Sequence, residues 1–189
     1  MLNKHARTMS PLLLPLALWA CGDDAPISQN AEEIITTVRL AFTGPSTFTA
    51  TAKDADGDGT VDTKDPITLA AGSYTVEVTL LNELESPAED ITEEVEAESD
   101  EHQLFFTVTG LPATSLTISY ADTEMDYGKA TGLPVGLKST WLNTGAGTGQ
   151  VTVQLQHLPP VNEQAQKVAG VTKDGGETDV SVTFDVTTN

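Results

Sequence analysis

Residues 54 to 65 read DADGDGTVDTKD, with aspartates at alternate positions, glycines at 57 and 59, and a last aspartate eleven residues after the first. Carboxylates crowded this closely repel one another unless a cation sits among them. Calcium takes about six to eight oxygens at ~2.3–2.6 Å, and a loop wraps it by offering oxygens at roughly its positions 1, 3, 5, 7, 9 and 12. Here those positions are Asp54, Asp56, Asp58, Thr60 (through its backbone carbonyl), Asp62 and Asp65. Gly59 stands where the sharp turn of such a loop falls, and Val61 fills its apolar position. The competing reading is a solvated connection between strands, because Asp and Gly are ordinary turn residues.

With this spacing the segment resembles the calcium loop of EF-hand proteins, except that Asp65 replaces the longer bidentate glutamate. The flanking TFTATAK and ITLAAG read as strands rather than helices. The loop is therefore more similar to the DxDxDG loops of dockerins and of calcium-braced extracellular repeats. That resemblance implies a structural calcium ion held at the weak affinity of extracellular modules, with Kd of ~10⁻⁴–10⁻³ M.

Two histidines follow the N-terminal segment. His157 continues the alternating face of Val151, Val153 and Leu155, and His102 falls on the apolar face of a predicted helix, so both are expected to point inward. A transition-metal site shared with Glu98, four residues before His102, is one reading, because imidazole and carboxylate suit zinc. Ordinary core or rim histidines are the other, and the chain has no HxxxH or HExxH spacing. It also lacks a nucleophile elbow, a P-loop and a dinucleotide fingerprint, and the expectation is a protein that is not an enzyme.

The elements that must position these groups are strands. Ile34, Thr36, Val38, Leu40 and Phe42 alternate with Ile35, Thr37, Arg39 and Ala41; Tyr74, Val76, Val78 and Leu80 alternate with Thr75, Glu77 and Thr79. LFFTVTG, SLTISYA, GQVTVQLQH and TDVSVTFDV repeat the pattern, separated by Gly- or Pro-containing breaks. The prediction is an all-β, mainly antiparallel fold, an Ig-like β-sandwich over residues 32–189 with one short acidic helix. That helix is placed in SPAEDITEEVEAESDEHQ, with Ser86 as N-cap, Pro87 in the first turn and Ala88, Ile91, Val95 and His102 on one face. A solvated acidic loop is its rival. Residues 122–149 and 159–177 read as irregular connections, the first anchored by Trp141.

Charge and the N-terminus bound the setting. The chain of 189 residues carries a formal charge of −19; Lys4 and Arg7 precede residue 20, so the remainder has 7 basic against 28 acidic side chains, or −21. Such a body repels phosphate backbones, and no nucleic-acid partner is expected. The first residues, MLNKHARTMSPLLLPLALWACGDD, combine a basic start, the apolar run 11–20 and the chain's only cysteine, Cys21. Ten apolar residues are too few to span a bilayer, which needs about 20 in a helix. Residues 1–20 therefore read as a signal peptide. Leu18-Trp19-Ala20-Cys21 resembles the lipobox of bacterial lipoproteins, which implies a lipidated Cys21 and a tether over residues 21–31. The competing reading is an ordinary secretory signal.

The stretches LLNELESPAEDITEEVEAESDEHQLFF, GLPVGLKSTW and GGETDVSVTF resemble small envelope lipoproteins of the Bacteroidetes group that accompany outer-membrane receptors. The implication is an outer-membrane lipoprotein of the cell envelope, facing the periplasm or exposed at the surface. It would be a binding or accessory module for a receptor or an extracellular ligand. The alternative is a purely structural or adhesive envelope lipoprotein with no small-molecule ligand.

Overall fold

The computed structural model describes residues 33–189. The signal peptide, Cys21 and the tether lie outside these residues. Eleven strands form two sheets: β1 (Thr37–Thr43), β2 (Thr47–Lys53), β3 (Thr63–Lys64), β4 (Ile67–Leu69), β5 (Gly72–Asn82), β6 (Glu89–Asp90), β7 (His102–Thr109), β8 (Leu116–Tyr120), β9 (Lys138–Asn143), β10 (Gly147–His157) and β11 (Glu177–Thr188). One sheet runs β3-β2-β1-β5-β9-β8, with β6 added to β5; the other runs β4-β11-β10-β7. All pairs are antiparallel except β4 with β11. The all-β, two-sheet reading of the sequence holds.

Period-two alternation explains the packing, because successive strand side chains point to opposite faces. Val38, Leu40 and Phe42 of β1, Tyr74 to Leu80 at every second position of β5, and Val182, Phe184 and Val186 of β11 are all buried in one core between the sheets. Register joins them across strands. Phe42 lies opposite Phe48 with the rings stacked at 4.5 Å, and Val153 lies between Phe106 on β7 and Val182 on β11.

Two expectations change. The acidic segment does contain the short helix, α1, but it spans only Ile91–Ala97 and its N-cap is Asp90, whose carboxylate accepts the Thr92 amide at 3.0 Å. Ser86 cannot be the cap because Glu89 and Asp90 pair as β6 with Asn82 and Leu81, which holds the backbone extended until the helix begins. Ile91 and Val95 form its buried face, as expected, but Ala88 precedes the helix and is exposed, and His102 has left it and opens β7. The second change is β9, which lies within the segment read as irregular and carries the fully buried Trp141 in the interior of the larger sheet.

Candidate metal-binding sites flanking one cleft

The aspartate segment is the connection between β2 and β3. The Asp62 amide bonds to the Lys53 carbonyl at 2.8 Å and closes the loop at its base. Asp54 is buried and acts as its pivot: one carboxylate oxygen accepts the Gly57 amide at 2.8 Å and the other the Gly59 amide at 2.7 Å. Both glycines have positive φ, +74° and +85°, which a residue with a Cβ adopts only under strain. Burial pushes the Asp54 carboxyl up, but the Gly59 and Gly57 amides outweigh it and hold it below the ordinary aspartate value.

Of the six expected ligand positions, three come together. Asp54, Asp56 and Asp58 each bring a carboxylate oxygen into a group within 4.8 Å of one another. Asp62 and Asp65 face other work. An Asp62 oxygen accepts the Ala55 amide at 2.7 Å, and an Asp65 oxygen accepts the Thr51 amide at 3.0 Å, back along β2. The Thr60 amide is bound to the Asp58 carboxylate at 2.8 Å. The flanking elements are strands, as the sequence implied.

The histidines form a second group. Register places His102 directly opposite His157 at the paired ends of β7 and β10. Both are buried, and the rings stack at 4.5 Å with 9° between their planes. His102 Nδ1 lies 3.3 Å from the Glu98 backbone carbonyl. A carbonyl only accepts, so Nδ1 carries the proton in the neutral ring and Nε2 presents a lone pair. That Nε2 faces Glu33 Oε1 and Asp179 Oδ2, each at 3.7 Å, and His157 Nε2 lies 3.7 Å from Glu101 Oε2. The Glu98 carboxylate is 4.0 Å from His102 Nδ1, so the pairing of Glu98 with both histidines read from the sequence exists in space.

Burial sets the charge of this group. Glu33 is pushed up to about 7 by burial and then by the neighbouring carboxylates of Asp179, Glu94 and Glu98. His102 is pushed down to about 4 by burial and by His157. The ring is therefore neutral at neutral pH.

Glu33 and Asp179 are residues that sequence reasoning missed. Asp179 belongs by alternation to the outward face of β11, since Val180 and Val182 follow the inward set. Between Leu155 and Gln156 of β10 the register shifts, Leu155 facing Val180 and Gln156 facing Thr178, so Asp179 is the extra residue of a β-bulge. Bulges re-aim side chains, and this one leaves the Asp179 carboxylate only 5% exposed beside His102. Glu33 precedes β1 and carries no periodic signal.

An open cleft of about 580 Å³ connects the two groups, with Asp54, Asp58 and Gly59 at one side and Glu33, Thr178 and Asp179 at the other. A narrower space of about 240 Å³ continues from it between β1, β2 and β11 towards Val38 and Val182. Trp141, Tyr120 and Tyr127 do not line either space. Trp141 is core, the Tyr120 hydroxyl donates to the Leu104 carbonyl at 2.8 Å, and the Tyr127 hydroxyl donates to Asp122 at the same distance.

Comparison with protein-family models, with curated proteins and with solved structures finds no match to this chain.

Proposed function

We propose that this chain is a lipid-anchored module of the bacterial cell envelope that binds rather than transforms its partner, its β-sandwich braced by calcium in the 54–65 loop. The observation that carries the calcium reading is the gathering of Asp54, Asp56 and Asp58 oxygens within 4.8 Å around a loop already shaped by Gly57 and Gly59. Three carboxylates so close have a standing repulsion that a hard divalent cation relieves. The envelope setting rests on the lipobox-like segment before Cys21 and on the resemblance to envelope lipoproteins. Among the described residues no helix is long and apolar enough to cross a membrane.

The test is a thermal melt of the full chain in detergent, with calcium and with EDTA. At Kd of ~10⁻⁴–10⁻³ M, about 10 mM calcium adds roughly 1.4–2.7 kcal/mol to the native state. For a domain of this size that raises Tm by roughly 3–10 °C. Asp54→Ala combined with Asp58→Ala is expected to abolish the rise. A melt indifferent to calcium reduces the loop to a solvated turn.

The anchor is tested separately. Cys21→Ser is expected to move the protein from the membrane to the soluble fraction, since stable anchoring depends on more than one acyl chain at about 0.8 kcal/mol per buried CH₂. Unchanged fractionation excludes the lipoprotein reading. One observation favours the alternative, a structural or adhesive envelope protein: Trp141, Tyr120 and Tyr127 are engaged in packing and hydrogen bonds and do not line the cleft. A stacking pocket for a small molecule is not built from them.

A further inference from the structure

The histidine group has a feature that the calcium loop lacks, a buried nitrogen donor with nothing to bond. His102 is fully buried, and its Nε2 has no hydrogen-bond partner among the described residues; neither has the buried Glu33 Oε2. Leaving a buried polar atom unsatisfied costs about 1–3 kcal/mol, and native structures contain few such atoms. The arrangement around Nε2 is nevertheless held firmly. The Glu98 carbonyl fixes the tautomer, the His157 ring stacks on the imidazole, and the bulge in β11 turns Asp179 inward. A bare imidazole lone pair facing carboxylate oxygens on two sides is repulsive for all three groups.

We infer that His102 Nε2, Glu33 and Asp179 form a binding site for a divalent transition cation of zinc-like chemistry, distinct from the aspartate loop. The three donor atoms lie within 4.8 Å of one another, and Nε2 is 3.7 Å from each carboxylate. Zinc bonds of about 2.0–2.2 Å set neighbouring ligands of a tetrahedron roughly 3.3–3.6 Å apart, so Nε2 and each carboxylate oxygen, now 3.7 Å apart, need close by only a few tenths of an ångström. One imidazole with two carboxylates is a mixed nitrogen and oxygen set, which suits zinc and its neighbours better than calcium, a taker of oxygens. The hydrogen bond from the far ring nitrogen to a backbone carbonyl is the support that metal-binding histidines commonly have. Glu33 and Asp179 also line the open cleft, so ions have a path in.

The experiment is a titration of the full chain, purified in detergent and stripped of metal with a chelator, with Zn²⁺ by calorimetry and with Co²⁺ by its visible ligand-field absorption. The expected result is one equivalent bound per chain. Glu33→Gln and Asp179→Asn, which keep shape and remove a charged donor, are expected to weaken it by roughly 10- to 100-fold or more. Glu33 lies outside the strands, so Glu33→Gln leaves the sheets intact, and an unchanged melting curve without metal confirms that. Asp54→Ala with Asp58→Ala is expected to leave zinc affinity unchanged, which separates this site from the calcium loop. Absence of a stoichiometric zinc or cobalt complex overturns the inference. Binding that survives Glu33→Gln and Asp179→Asn, or that is lost in the loop variant, overturns it as well.

Discussion

Lys167→Ala is expected to destabilise the protein by about 3–5 kcal/mol, because it strands a buried carboxylate. Lys167 sits in the long connection before β11, yet its side chain is fully buried. Its ammonium lies 2.9 Å from Glu124 Oε1 and donates to the Ser99 carbonyl at 2.5 Å. Glu124, in the short 3₁₀ turn Glu124–Tyr127, is only 2% exposed, and its second oxygen accepts from Thr131. One ammonium thus ties the connection to the turn after α1 and to the 3₁₀ turn. Burial pulls the Lys167 pKa down, and the Glu124 carboxylate opposes this. Removing the cation leaves Glu124 desolvated without its counter-charge. The double variant Lys167→Met, Glu124→Gln, which removes both charges, is expected to recover much of the loss. Urea unfolding of the three proteins measures both effects. A loss below about 1 kcal/mol for Lys167→Ala means that water reaches the pair, since exposed ion pairs are worth no more than that.

Trp141→Ala is expected to cost a similar amount, about 3–5 kcal/mol, through a different mechanism. The indole is fully buried on β9, edge-on to Phe42 at 5.3 Å within its own sheet and to Phe106 at 6.0 Å in the other. Its Nε1 donates to Ser139 Oγ at 3.0 Å. Truncation opens a cavity at the place where the sheets touch and leaves a buried hydroxyl without its donor. The adjacent Leu142 points the other way and is 42% exposed, so Leu142→Ala is expected to cost no more than about 0.5 kcal/mol. Equal losses at the two positions would contradict the burial pattern of β9. A domain of ordinary stability has only about 5–15 kcal/mol in hand, so Lys167→Ala with Trp141→Ala, together about 6–10 kcal/mol, is expected to remove most of it.

The sheets were legible wherever one face of a strand is apolar and the other polar. Val38, Leu40 and Phe42, or Val182, Phe184 and Val186, announce both a strand and its buried side. Strand β9 was not legible because its inward set is Ser139, Trp141 and Asn143 while Leu142 points out. Asn143 is buried for a reason no local pattern displays: its amide donates to the Leu69 carbonyl at 3.0 Å, across to the segment that joins the other sheet. The aspartate loop was legible as a turn with its glycines correctly placed, but the position of Asp65 was not. Asp65 follows β3, whose pairing with β2 carries it back beside Thr51. That His157 points inward could be read from alternation; His102 was expected to point inward from a helical face and does so from the start of a strand instead. Their meeting depends on the pairing of β7 with β10, some fifty residues apart, and Asp179 joins them only through a bulge.

The place of β1 has a mechanical consequence. All seven of its residues are paired on both sides, with β2 and with β5, and both partners run antiparallel to it. A pull transmitted along the chain ahead of Thr37 therefore runs lengthwise down a strand clamped in mid-sheet. Its cross-strand hydrogen bonds are loaded together in shear, instead of opening one after another as they would in a strand peeled from the rim. Tension that enters from the N-terminal side thus meets a strand braced on both flanks, and the fold resists extension at the point of entry.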